Sequence, residues 1–116
     1  LQKNKSFLIR IFCSEEMLKC NKLINVNNCY AKRFAAKEAF SKALGTGINK
    51  GIYFKDIEII NLQSGKPTLT LHGNARKKLL NIIPIKKHAN ILLTITDDMN
   101  IAQALVIIEA IDKTAK

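Results

Sequence analysis

From Tyr30 to Leu44 the chain runs without glycine or proline, carries Ala31, Ala35, Ala36, Ala39 and Ala43, and then meets Gly45-Thr46-Gly47. Alanine is the strongest helix former, and glycine just past a last turn is the commonest stop. A long central helix over Tyr30 to Leu44 is therefore expected, and the rest of the fold has to accommodate it. At about 100° per residue, Arg33, Lys37, Ser41, Glu38 and Lys42 fall in one arc, with Ala35, Ala36, Ala39, Phe40 and Ala43 opposite. The small residues allow close packing on a sheet, which would hold the polar arc rigid. A carboxylate and two ammonium groups on a face that ends at glycines are the parts of a phosphate site. The same spacing also describes a solvated i,i+4 pair, Glu38 with Lys42, worth roughly 0.3–0.5 kcal/mol.

The remaining segments read as further helices beside antiparallel hairpins. Leu1 to Lys22 is amphipathic, with Phe7, Leu8, Ile11 and Phe12 clustered and Ser14 read as an N-cap ahead of Glu15 and Glu16; Asn25 to Asn28 reads as a loop. Ile52 to Ile60 is β-branched, Ser64 to Pro67 is a turn, and Thr68 to Leu71 alternates cleanly, which together make a hairpin. Gly73 to Ile82 returns to helical spacing until Pro84 prevents continuation. A third strand is expected from about Asn90 to Thr96, a turn at Asp97 to Asn100, and a fourth strand from Ala102 to Ile111. Helices on one side of antiparallel hairpins make an α+β domain, here a single one over residues 1–116.

With 116 residues and 47% hydrophobic content, one ordinary core can be buried. No apolar run of about 18 residues, secretory leader or lipidation signal is legible, so a cytoplasmic protein is expected. Cys13, Cys20 and Cys29 are odd in number and match no C-x-x-C pattern, so reduced thiols are expected rather than disulfides or zinc. The formal charge of +10 and pI near 9.7 attract acidic partners: nucleic acid, an anionic membrane, a nucleotide cofactor and an acidic protein all fit.

The wording of the helix narrows this. Arg33-Phe34-Ala35-Ala36-Lys37-Glu38-Ala39-Phe40-Ser41-Lys42-Ala43-Leu44-Gly45-Thr46-Gly47-Ile48 resembles the signature of holo-acyl-carrier-protein synthases, the short bacterial type of 4'-phosphopantetheinyl transferase. The likeness extends along nearly all of the chain. Gly51-Ile-Tyr-Phe-Lys-Asp-Ile-Glu-Ile59, Gly65-Lys-Pro67, Leu71-His-Gly-Asn-Ala75 and Ala104-Leu-Val-Ile-Ile-Glu109 sit where such enzymes carry equivalent segments.

The resemblance implies an α+β fold with antiparallel hairpins packed against the long helix. It also implies transfer of phosphopantetheine from coenzyme A to a serine of apo acyl carrier protein, with Mg2+ on the pyrophosphate, in fatty acid biosynthesis. Glu38 matches the glutamate that holds the metal, Lys42 would reach the departing phosphate, and Lys37 and Arg33 would contact the pyrophosphate or the 3'-phosphate. Ser41, Gly45, Thr46, Gly47, Lys66 and Pro67 complete the implied cofactor site. Coenzyme A and apo acyl carrier protein are the implied partners, with neither nucleic acid nor membrane among them. Homotrimers with sites between subunits are the family's assembly; Leu92 to Ile95 and Leu105 to Ile108 are the interface candidates here. Lys3, Lys5 and Arg10 lie nearest to the family's carrier-docking helix.

Two departures from the family pattern stand out. The family begins with a strand whose Gly-x-Asp aspartate is a second metal ligand, and Leu1 falls after that point; some 15 to 20 preceding residues are expected on the length of a strand and turn. Asp56, Asp97 and Asp98 do not occupy the matching position. Where such enzymes read Ser-His-Thr, this chain reads Thr94-Ile95-Thr96-Asp97-Asp98, which makes Asp97 the candidate base for the acceptor serine. The competing reading of Asp97-Asp98 is a plain turn. A basic α+β nucleic-acid module is the alternative from another class, but aromatics at 6% leave it without a base-stacking surface. A synthase-like fold without catalysis is the third possibility.

Overall fold

The computed structural model describes residues 5–45, 52–98 and 101–113. Helices α1 (Lys5–Ile11) and α2 (Ser14–Asn21) lead into the long α3 (Val26–Leu44). A 3-10 turn at Phe54–Asp56 opens a ribbon of β1 (Ile57–Asn61) and β2 (Pro67–Leu71). Helix α4 (Gly73–Ile82) follows, and a second ribbon of β3 (Lys87–Asp98) and β4 (Ile101–Asp112) completes the order. Both ribbons are two-stranded and antiparallel. The α+β class expected from the sequence is the one observed.

Helix α3 starts earlier than its alanines alone suggested. Asn25 is its cap, its side-chain oxygen accepting from the Asn28 N–H at 3.0 Å, so most of the polar stretch expected as a loop is the first turn. At the other end Gly45 takes φ 86°, and its N–H reaches the Lys42 carbonyl at 3.0 Å. That left-handed cap suits a residue without a Cβ. In α2 the cap is Cys13 rather than Ser14, because the Glu16 carboxylate folds back to accept the Cys13 N–H at 3.1 Å. The strand expected from Ile52 begins only at Ile57, since Phe54–Asp56 closes a 3-10 turn first.

One face of α3 supplies Tyr30, Ala36, Phe40 and Leu44 to a core shared with Leu8, Ile11 and Phe12, with Ile52, Phe54, Ile57 and Ile59, and with Leu93 of β3. The Phe12 and Tyr30 rings lie 4.8 Å apart between centroids. In the β3–β4 ribbon the pairs Ile91↔Ile108, Leu93↔Val106 and Ile95↔Ala104 face this core, while Leu92↔Ile107, Thr94↔Leu105 and Thr96↔Gln103 face away. Alternation along the pleat thus divides both apolar runs of the sequence between two faces.

Contrary to the thiol expectation, Cys20 and Cys29 form a disulfide, and Cys13 is free. The turn between α2 and α3 reverses the chain and brings the two Cα atoms to 5.4 Å, a proximity that a nine-residue spacing does not reveal.

Gly73 opens α4 at φ 52°, and a Cβ built there would stand 2.8 Å from the Asp56 Oδ2. Gly73→Ala should therefore lower unfolding free energy by about 1–3 kcal/mol in urea titration. An unchanged midpoint would show that the turn relaxes freely.

Candidate active site on helix α3

The polar arc of α3 is split by the core. Arg33, Lys37 and Ser41, one turn apart from each other, are 5%, 0% and 2% exposed, whereas Glu38 and Lys42 are exposed. The expectation that all five share an open face is corrected. The arc spans about half the helix circumference, and the sequence does not show which half the core claims.

Lys37 is fully committed inside. Its Nζ donates to Glu16 Oε1 at 2.7 Å, to the Phe54 carbonyl at 2.8 Å and to the Ile57 carbonyl. Glu16, 2% exposed, also accepts the Cys13 N–H and, through Oε2 at 3.0 Å, the Ile59 N–H. The partners of this ion pair come from α2 and its cap, the 3-10 turn and β1, so it fastens these segments to α3. Burial pushes the Lys37 ammonium below the usual lysine range, and the Glu16 carboxylate works against that shift. Ser41 is spent locally, its hydroxyl donating to the Glu38 carbonyl at 2.9 Å. Neither Lys37 nor Ser41 is available to an incoming phosphate.

Glu38 and Lys42 look into a cavity of about 550 Å³ between the C-terminal half of α3 and the β3–β4 ribbon. Ala35 and Ala39 form part of its wall, with Thr94, Thr96, Gln103 and Leu105 opposite. The alanines expected to pack thus divide: Ala36 is buried, Ala35 and Ala39 leave room beside Glu38, and Ala43 is exposed. Among the described residues Glu38 and Lys42 make no ion pair, with each other or with anything else. The solvated-pair reading therefore does not account for them. Strand alternation sets Thr94, Thr96 and Gln103 on the side facing away from the core, so their place near Glu38 was not legible in the sequence.

A second cavity, about 460 Å³, lies at the N-terminal half of α3. Lys19, Lys32, Arg33 and Asn61 give it a cationic and amide lining, and Gly65 and Pro67 of the β1–β2 turn close it. Arg33 donates through Nη2 to Asn61 Oδ1 at 3.1 Å, and Asn61 Nδ2 donates to the Gly65 carbonyl at 3.0 Å. The Arg33 Nε is buried, with no hydrogen-bond partner among the described residues. Burial lowers the Arg33 pKa, opposed by the Glu16 charge. Arg33 and Pro67 are thus brought together here, away from Glu38; Lys66 is exposed on the same turn.

Asp97 is not beside Glu38. Its Oδ2 accepts from Asn28 Nδ2 at 2.7 Å, and its Oδ1 lies 4.0 Å from Lys32 Nζ. Asn28 precedes Glu38 by about 15 Å along the helix axis. Asp97 docks the end of β3 onto the start of α3 and, within one chain, does not stand beside Glu38. Gly45 serves as the helix cap described above; Thr46 and Gly47 lie outside the described residues. His72 pairs with Glu58 at 2.9 Å on the surface. No group of three or more His, Cys, Asp or Glu suited to a metal occurs among the described residues, and no described helix is long and apolar enough to cross a membrane.

Known proteins resemble this chain in sequence and in fold. The holo-[acyl-carrier-protein] synthase of Methylorubrum extorquens (strain PA1) is 48% identical over 109 residues, covering 94% of this chain and 80% of that protein. The synthase of Rhizobium meliloti (strain 1021) is 50% identical over 105 residues, covering 90% and 76%. Among solved structures, the Neisseria meningitidis holo-[acyl-carrier-protein] synthase superposes with a TM-score of 0.80 at 34% identity, covering 93% of this chain and 83% of that one. The Helicobacter pylori synthase in complex with coenzyme A gives 0.74 at 29% identity, covering 93% and 85%. Residues 1–102 match the model of the 4'-phosphopantetheinyl transferase superfamily, and with this match beside identities near one half over most of the chain, it belongs to that superfamily, among its holo-[acyl-carrier-protein] synthases.

Proposed function

We propose that this chain transfers the 4'-phosphopantetheine group of coenzyme A to a serine hydroxyl of apo acyl carrier protein, yielding holo acyl carrier protein and adenosine 3',5'-bisphosphate for fatty acid biosynthesis. The observation that carries the mechanism is the unpaired Glu38 and Lys42, side by side in one open cavity. The serine oxygen forms a bond to the pantetheine-side phosphorus as the bond to the bridging oxygen breaks. The electron pair leaves with adenosine 3',5'-bisphosphate, and the serine proton is released. Negative charge grows on the departing phosphate, and Lys42 compensates it at short range.

Glu38 fits a magnesium ion: it is a hard oxygen donor, exposed and uncommitted. Magnesium is commonly held by one or two carboxylates together with substrate phosphates and water, and Glu38 would supply one of these carboxylates. Bound there, Mg2+ would supply charge neutralisation on the pyrophosphate. The cavity at the other end of α3 takes the 3'-phosphate of the nucleotide, with Arg33, whose Nε has no partner among the described residues, as the buried cation and Pro67 against the nucleotide. Lys66 and Gly45 flank these two sites. Lys5 and Arg10, exposed on α1, offer the acidic carrier a docking face; Lys3 lies outside the described residues.

The outward face of the β3–β4 ribbon leaves Leu92, Leu105 and Ile107 at 44%, 61% and 46% exposure. Leu105 also lines the Glu38 cavity, so a second copy seated on this face would close that cavity from outside. A homotrimer with sites between subunits, each a single domain over 1–116, acting in the cytoplasm, is the assembly we favour. Leu105→Glu should turn a trimer into monomers by light scattering and reduce transfer; a wild-type chain that is monomeric at micromolar concentration would rule the assembly out. The function itself is tested with coenzyme A, Mg2+ and apo acyl carrier protein. The carrier's intact mass should rise by one phosphopantetheine arm, and a carrier left apo under all conditions would contradict the proposal.

A further inference from the structure

The Cys20–Cys29 disulfide is built into the wall of the nucleotide cavity. Cys20 at the end of α2 and Cys29 in the first turn of α3 are both buried, at 0% and 2% exposure, and Cys29 lines that cavity. Arg33 donates through Nη1 to Cys29 Sγ at 3.1 Å and through Nη2 to Asn61 Oδ1. Asn61 in turn holds the Gly65 carbonyl of the β1–β2 turn. One run of contacts therefore links the sulfur atoms, the buried cation and the turn. Leu23 and Asn28, which also line the cavity, sit on the segment that the two cysteines bracket.

We propose that Cys20 and Cys29 are a reversible thiol–disulfide modification site whose oxidation holds this cavity in its nucleotide-binding shape. The inference rests on reading the cavity as the nucleotide subsite. Reversibility follows from the guanidinium against Cys29 Sγ, since a neighbouring cation favours the thiolate. A stabilised thiolate favours the reduced form and speeds attack, which makes a disulfide exchangeable instead of permanent. The cavity gives a small reagent its way to Cys29. The oxidant is a low-molecular-weight disulfide. The Cys29 thiolate attacks one of its sulfur atoms, forming a mixed disulfide and expelling one thiolate. Cys20 then loses its proton and attacks the Cys29 sulfur, expelling the second. Two protein thiols give up two electrons and two protons, and the reagent is reduced to two thiols.

Coupling to the ligand follows from restraint. The closed disulfide limits the segment that carries Leu23 and Asn28 and fixes the sulfur on which Arg33 rests. Reduction frees the end of α2, so binding must re-order it. By linkage, bound nucleotide favours the disulfide by the same factor that the disulfide favours nucleotide.

The test uses the full chain equilibrated in buffers of fixed glutathione thiol-to-disulfide ratio, with adenosine 3',5'-bisphosphate as the probe. After denaturation and alkylation, mass mapping should show only Cys13 labelled from the oxidising buffer, and Cys13, Cys20 and Cys29 all labelled from the reducing one. Calorimetry should show affinity about tenfold weaker in the reduced protein. The melting temperature should fall by roughly 10 °C. Cys20→Ser should bind like the reduced protein in both buffers, while Cys13→Ser should keep the full response. Labelling of Cys20 and Cys29 from the oxidising buffer would overturn the proposal. Equal affinity in the two states, with the disulfide shown to form, would overturn it as well while leaving the nucleotide subsite intact. Absence of binding in both states, with the disulfide formed, would instead remove the subsite reading and the coupling that depends on it.

Discussion

Lys37→Met should unfold in urea at a free energy about 3–5 kcal/mol below the parent chain, the range for removing one partner of a buried ion pair. In a protein of this size that corresponds to a melting temperature lower by roughly 10–20 °C. The cause is what remains behind. Glu16 stays buried and charged without its counterion, the Ile57 carbonyl loses its side-chain donor, and the Phe54 carbonyl keeps only the Ile57 N–H. Replacing both partners, as in Glu16→Leu with Lys37→Met, should recover little. The Cys13 and Ile59 N–H groups would then lose their acceptor and the Ile57 carbonyl its donor, which leaves three backbone groups unpaired. Transfer by the fraction of Lys37→Met still folded in the cold should proceed with an unaltered KM for coenzyme A. Parental stability combined with a large rise in that KM would identify Lys37 as a phosphate ligand and refute its structural role.

Much of this was legible in the residues. The alanine-rich run ending at Gly45 announced α3, the Ser64 to Pro67 turn announced the first hairpin, and Pro84 marked where α4 must end. Glu38 and Lys42 were singled out by the resemblance of the helix wording to a known signature, since their spacing alone describes a solvated pair equally well. What the sequence withheld was the rotation of α3 about its axis. A lysine is expected to face water, and only the convergence of Glu16 with two carbonyls from a separate segment makes it cheaper to bury. Nothing local to Lys37 encodes that meeting, since Glu16 lies 21 positions away. The disulfide was hidden for the same reason, and so was the docking of Asp97 on Asn28, across 69 positions. The division of the Leu92 and Leu105 runs between core and surface was implicit in their alternation. It became readable once the register paired Leu93 with Val106 and Thr94 with Leu105.

Glu38→Gln and Lys42→Ala should behave in the opposite manner to Lys37→Met. Both side chains are exposed and make no ion pair among the described residues, so each change should alter stability by no more than about 0.5 kcal/mol. Each removes charge at the place where the transition state concentrates it, and turnover should fall by about 10²–10³ or more. Glutamine keeps the shape of Glu38 and loses the charge, which separates metal binding from packing. Lys42→Arg should restore part of the rate, because a cation returns with a different reach.

The most direct measurement sets these two behaviours side by side: the intact mass of the carrier protein over time with coenzyme A and Mg2+, beside the melting curve of each variant. Parental melting with a carrier left apo is the expected result for Glu38→Gln. Conversion by Glu38→Gln at the parental rate would contradict the assignment of the chemistry to the exposed side of α3.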